Sequence, residues 1–188
     1  MKRTLMIIDD DPRVRELFRA AFAEEFEVVC ADGGPDSLLA SHVKDLEPVI
    51  ARKAGLGVIH WALDVPTGEP GNRLLEWIGG YFETNWSVNP SWKARFETIP
   101  VHPVTRGVRP FVMADEWYSH MRFREGGRGV TPLLTAVPPD EVHEGDDGPY
   151  SGNPVMRSRK GLPEDLAWAY ERDGGGRGFG FAGGHKQW

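Results

Sequence analysis

Cysteine is nearly absent: Cys30 is the single one in 188 residues. One thiol cannot close an internal disulfide, so a secreted, disulfide-stapled scaffold is excluded. Long apolar runs are absent too, and none approaches the roughly 20 residues that span a bilayer. Residues 1–8 place Lys2 and Arg3 before a short apolar run, but Asp9, Asp10 and Asp11 end it, and no small-residue cleavage site follows. The expectation is a cytoplasmic protein with no membrane partner. An excess of positive charge is missing as well. The formal net charge is −6 and the basic residues form no long run, which predicts no nucleic-acid partner. There is no His-x-His, His-x-x-x-His or Cys-x-x-Cys spacing, so spacing alone assigns no metal. The glycine run at residues 174–180 lacks the Lys-Ser/Thr pair and the helix that a phosphate loop needs. Cofactor and metal are therefore unknown from sequence.

What is present is a globular balance: 40% apolar and 27% charged residues, in a length that suits one domain with one core. Seven tryptophans and 23 glycines fit two readings. Either aromatic-lined loops sit over a rigid scaffold, or the tryptophans are core and the glycines are turns. Strands are predicted at residues 4–8, 26–31 and 56–61. A helix opens at Pro12, with Val14, Leu17, Phe18, Ala21 and Phe22 on one face, and another runs over 35–54 with a kink or break at Pro48. This alternation predicts a parallel sheet with helices on both sides. A short helix is expected at 71–78, a shaped loop at 79–90, and strands at 93–99, 111–113, 116–118 and 133–137. A polar surface excursion follows at 137–160, then a hairpin of 166–172 with 177–182 around Asp173 and three glycines.

Two families are visible. The strand at 5–8, the pair Asp9 and Asp10, then Pro12 and its helix resemble the start of a response-regulator receiver domain. The resemblance implies a carboxylate pair for Mg²⁺, and carboxylates do suit a hard cation. From Asp32-Gly33-Gly34 onward, eight ordered blocks resemble the trehalose-utilisation (ThuA-like) family. They include Gly55 to Pro66, Trp77 to Pro90, His102 to Val108, Asp115 to Phe123, Pro149 to Pro154, and Arg177 to His185. That resemblance implies a three-layer, open α/β sheet of flavodoxin type, as in class I glutamine amidotransferases. It also implies an enzyme acting on a small-molecule sugar, trehalose or a related disaccharide or keto-sugar. The family carries further strands before the first block and continues past the last. On that reading the chain is a single ThuA-like domain, truncated or hybrid, with a receiver-like segment at 1–31. A phosphorelay module and a folded but inactive hybrid are the alternative functions. A homo-oligomer is compatible with either family.

Several residues carry the candidate chemistry. His60 is expected at the end of the third strand, where open parallel sheets bind ligands. Amidotransferases hold a nucleophilic cysteine there, and Gly57-Val-Ile-His-Trp has none, so glutamine hydrolysis is rejected. His60 suits acid–base work near neutral pH. Alternation on a strand would put Glu116, Tyr118 and His120 on one face as further catalytic groups, with a polar edge strand as the plainer reading. Glu83, Asn85 and Trp86 offer a carboxylate, an amide and an indole, which suit the hydroxyls and apolar ring face of a sugar. His102 either binds substrate or braces a turn. His185 follows Gly183-Gly184, which would let a ligand or backbone approach closely. His60, Glu83, Glu116, Tyr118, His120 and His185 are predicted to share one cleft.

Overall fold

A computed structural model describes residues 3–8, 12–24, 26–31 and 43–185. The central sheet has six strands in the order β2-β1-β3-β10-β9-β8. Its first half comes from the alternating N-terminal units. Strand β1 (Arg3–Ile8) lies between β2 (Phe26–Ala31) and β3 (Gly55–Ile59), parallel to both. Strand β10 (Arg177–Phe181) adds to β3, again parallel. The last two strands, β9 (Glu164–Glu171) and β8 (Val130–Ala136), complete the sheet antiparallel. The result is a mixed α/β fold: a parallel portion as predicted, closed by the predicted β9–β10 hairpin. Four strands, β2, β1, β3 and β10, therefore present their carboxyl ends along one edge.

Helix α1 (Pro12–Phe22) starts at the proline that the sequence marks and packs along β1 and β2. Leu17, expected on the apolar face, is 67% exposed. Helix α2 (Val43–Ala51) runs through Pro48 without a break. The missing N–H removes a single backbone bond, while Val43 and Leu46 anchor the helix in the core. The remainder of the predicted helix, up to residue 42, lies outside the described residues, as do Asp9 and Asp10. Helix α3 (Glu69–Trp77) buries Gly71, Leu74 and Trp77 at three-residue spacing, on the core-facing side.

Two small antiparallel pairs stand beside the sheet: β4 (Gly80–Tyr81) with β7 (Arg122–Phe123), and β5 (Ser91–Phe96) with β6 (Phe111–Glu116). Strand β5 alternates strictly, burying Trp92, Ala94 and Phe96. Trp77, Trp92, Trp117 and Trp168 are core, whereas Trp61 is 36% exposed. The Trp168 indole needs Gly180, because a Cβ there would collide with its six-membered ring. Three expectations change. Residue 60 begins a 3-10 turn (His60–Leu63) instead of ending the strand. The two short strands expected at 111–118 are one, ending at Glu116. The stretch at 137–160 is anchored rather than wholly superficial: it buries His143 and, from helix α4 (Pro154–Arg157), Met156. Among the described residues no helix is long and apolar enough to cross a membrane.

Candidate functional site

The site is built where β3 and β10 end side by side. Strand β3 passes directly into its 3-10 turn at His60, whose φ of 47° lies in the left-handed region. That sharp reversal is unfavourable for a side chain bearing a Cβ, and holding it requires support from the surroundings. The support is visible. His60 Nδ1–H donates to the Ala182 carbonyl, 3.0 Å away, just past the end of β10. A carbonyl can only accept, so Nδ1 carries the proton and Nε2 is left with its lone pair. Nε2 is buried and has no hydrogen-bond partner. The ring is stacked on Tyr118 at 4.4 Å between centroids. Burial lowers the His60 pKa, against the opposing pull of the Ala182 carbonyl and the Glu116 charge. His60 is therefore a neutral imidazole at neutral pH.

Glu116, the last residue of β6, faces that lone pair: its Oε1 lies 3.6 Å from His60 Nε2. Asn89 Nδ2 donates to the same oxygen at 3.3 Å. The His185 ring completes the group, with Nδ1 4.0 Å from Glu116 Oε1 and its centroid 5.3 Å from that of His60. What brings His185 here is Asp115, a fully buried carboxylate. It accepts the backbone N–H of Glu116 at 2.8 Å and that of Gly184 at 2.8 Å. Tyr118 N–H also donates to the Ala182 carbonyl. Gly183 lies against Trp117 so closely that a Cβ would overlap the indole. The ligand atoms of His60, Glu116 and His185 all fall within 4.8 Å of one another, so these three residues could hold a metal ion.

Of the residues predicted to share a cleft, the structure brings His60, Glu116, Tyr118 and His185 together, while Glu83 and His120 belong to a second group. The expected face of Glu116, Tyr118 and His120 does not form, because the strand stops at Glu116 and the chain turns, with His120 at φ 56°. The His120 ring stacks on Trp86 at 4.5 Å, and the Arg122 guanidinium lies 3.6 Å over the same indole. Both groups pack on the Trp86 indole and occupy surface that was expected to stack on a sugar ring. Glu83 accepts two bonds from Arg122, at 2.6 and 2.7 Å, and a third from Tyr81 Oη–H at 2.7 Å. The Arg122 bonds hold its carboxyl below the usual range. Burial, followed by the charges of Arg159 and Arg122, lowers the His120 pKa to about 4.

Asn85 sits in the left-handed region at φ 65°, where Asn is tolerated, and its N–H donates to the Pro149 carbonyl. His102 is a cap: its Nδ1 accepts the Val104 N–H at 3.2 Å, and Thr105 Oγ1 accepts the His102 N–H. Of its two expected roles, the structure displays the brace.

Sequence reasoning missed Asp115, Asn89, Arg122 and the pair Asp64–Tyr150. Asp64, one turn beyond His60, is buried and bonded to Tyr150; burial raises its pKa to about 6. The half-exposed Tyr150 ring stacks on Phe82 at 5.6 Å, and Phe82 in turn meets Tyr118 at 4.7 Å. Asp64 was detectable by its place just past a parallel strand. Asp115 was detectable only as the neighbour of Glu116.

Fold and site together define an α/β protein with a histidine–carboxylate site at the carboxyl edge of its sheet. The crystal structure of a ThuA-like protein from Bacteroides uniformis ATCC 8492 is similar in fold. The similarity covers 97% of this chain and 82% of that one, with a TM-score of 0.59 and 14% sequence identity. The family model for ThuA, described as trehalose utilisation, matches residues 14–188. The chain belongs to the ThuA family. The match begins inside α1, so the strand at 5–8, Asp9, Asp10 and Pro12, on which the receiver-like resemblance rests, lie before it. No curated protein matches the chain.

Proposed function

We propose that this chain is an enzyme of sugar metabolism acting on a disaccharide or its keto form at the cluster of His60, Glu116, Tyr118 and His185. Membership of a family described as trehalose utilisation supports a sugar as the substrate class. The observation that carries the site is the buried, neutral His60, whose unbonded Nε2 faces Glu116 at the carboxyl edge. Keto-sugar chemistry needs a proton removed next to a carbonyl, or the carbonyl oxygen held as charge develops on it. A fixed lone pair beside a carboxylate serves the first need. Ring stacking falls to Tyr150 in place of Trp86, since Tyr150 is the exposed aromatic joined to the cluster through Phe82. The β2-β1-β3 order with parallel β10 supports the flavodoxin-like arrangement that places ligands at this edge. Glutamine hydrolysis has no support, because the elbow position carries His60.

The test is calorimetric binding and turnover of trehalose, maltose and their 3-keto forms, run beside another ThuA family member. Binding of at least one keto-sugar, with turnover lost in E116Q, is expected. If the family member acts on these sugars and this chain neither binds nor converts any, the proposal fails.

A further inference from the structure

We infer that His60, His185 and Glu116 are the three protein ligands of a divalent transition metal of the zinc class. The first support is the orphaned His60 Nε2. A buried ring nitrogen with no partner costs about 1–3 kcal/mol unless something satisfies it, and this one points at a carboxylate oxygen 3.6 Å away. A neutral imidazole cannot donate from that nitrogen, since its proton is on Nδ1, bonded to the Ala182 carbonyl. Two lone pairs therefore face each other, an arrangement that a cation between them converts from repulsion into coordination. The Nδ1–H bond to a backbone carbonyl is itself the bond that orients metal-binding histidines.

The spacing agrees. Ligand bonds of about 2.0–2.2 Å in a tetrahedral site put donor atoms roughly 3.3–3.5 Å apart. The Glu116 oxygen is 3.6 Å from His60 Nε2 and 4.0 Å from His185 Nδ1, and all three donor atoms lie within 4.8 Å of one another, so closure needs an inward movement of His185. His185, the half-exposed ligand, is the one with room to turn. Two imidazoles and one carboxylate favour zinc or its neighbours over the all-oxygen cations. Three ligands leave a fourth position open, the layout of a catalytic centre rather than a structural one. Asp115 is the positioning residue: it holds the Glu116 backbone and, through Gly184, the segment that carries His185. The centre deepens the proposed function and rests on that reading: with the His60 lone pair committed to the ion, His60 would serve as a ligand in place of a base, and the open position would take a sugar oxygen and hold it as charge develops there.

The test uses the full chain, stripped with a chelator and then titrated with Zn²⁺ against a chromophoric competitor. A parallel Co²⁺ titration is read by visible absorption. One zinc per chain is expected, with cobalt bands that zinc abolishes. H60A and H185A should each weaken zinc at least tenfold, and D115N about tenfold as an outer-shell change. His185 is half-exposed and lies outside the sheet, so the thermal melt of H185A should stay unchanged without metal. Zinc should raise the melting temperature of the parent and not that of H185A. Absence of stoichiometric uptake, or equal uptake by the parent and both histidine variants, would overturn the centre. Sugar binding by a chain that takes up no metal overturns the centre and leaves the sugar reading standing. Zinc uptake by a chain that binds none of the sugars upholds the centre and sinks that reading.

Discussion

Two titratable side chains outside the cluster, the buried Asp64 and the half-buried His120, set opposing pH dependences. Asp64 has its pKa raised to about 6, so between the unfolded value near 3.8 and 6 the folded state holds a proton that the unfolded state has lost. Its contribution to stability is complete below about 4 and is lost as pH rises through 6. His120 is shifted the other way, to about 4. Its contribution is complete above about 6.5 and is lost as pH falls through 4. Each shift corresponds to roughly 2–3 kcal/mol, so the two largely offset each other between pH 4 and 6. Substitution separates them. D64N should melt higher than the parent above pH 7 and match it near pH 4. H120N keeps a residue that tolerates the left-handed backbone, and its melting temperature should fall less steeply from pH 6.5 to 4.5 than that of the parent. Thermal melts at several pH values decide both. A D64N profile parallel to the parent's would show that Asp64 titrates normally. Gly183 is a steric case: G183A should cost about 1–3 kcal/mol in denaturant unfolding, because the new methyl overlaps Trp117.

At the scale of elements, the joints are made by charged groups on backbone carbonyls. Arg172, at the end of β9 and 9% exposed, donates to Trp77 O at 3.2 Å, and to Ala54 O and Gly175 O. One side chain thus ties the carboxyl end of α3, the entry to β3 and the β9–β10 turn. A cation beside the last carbonyls of a helix also opposes the negative end of its dipole. Burial lowers the Arg172 pKa, and among the described residues no carboxylate is bonded to it. R172M should lose about 2–4 kcal/mol, as one buried and two part-buried carbonyls are left without this donor. Urea unfolding at pH 7 measures it, and a loss under 0.5 kcal/mol would show that these carbonyls find other partners. R172K restores charge but not the planar reach, and should recover only part of the loss.

At the scale of the molecule, the site depends on the sheet bringing distant segments to one edge. His60 bonds to a carbonyl 122 positions away, and Asp115 to an amide 69 positions away. D115N should therefore reduce turnover of a keto-sugar substrate through both Glu116 and His185, by about 10–100-fold, with a smaller change in melting temperature than R172M. Steady-state kinetics beside a melt check this; full turnover in a folded D115N would show that Asp115 does not position the cluster.

Local order was legible in the sequence. Alternation and propensity placed β1, β2 and the β9–β10 hairpin, and Pro12 marked the start of α1. Those signals depend on neighbours one to four residues apart, which the chain carries wherever it is put. The place of His60 just past a parallel strand was legible as well, because the end of such a strand is defined by the strand itself. Tertiary structure decided the rest. Whether residues 116–120 continue as a strand depended on Val88 pairing with Ser119. Whether Trp86 offers a face depended on Arg122 and His120 folding back over it. Asp115 acts through amides that only the packed sheet brings within 2.8 Å. A side chain's chemistry is fixed by its sequence, but its free valences are fixed by what else is buried beside it.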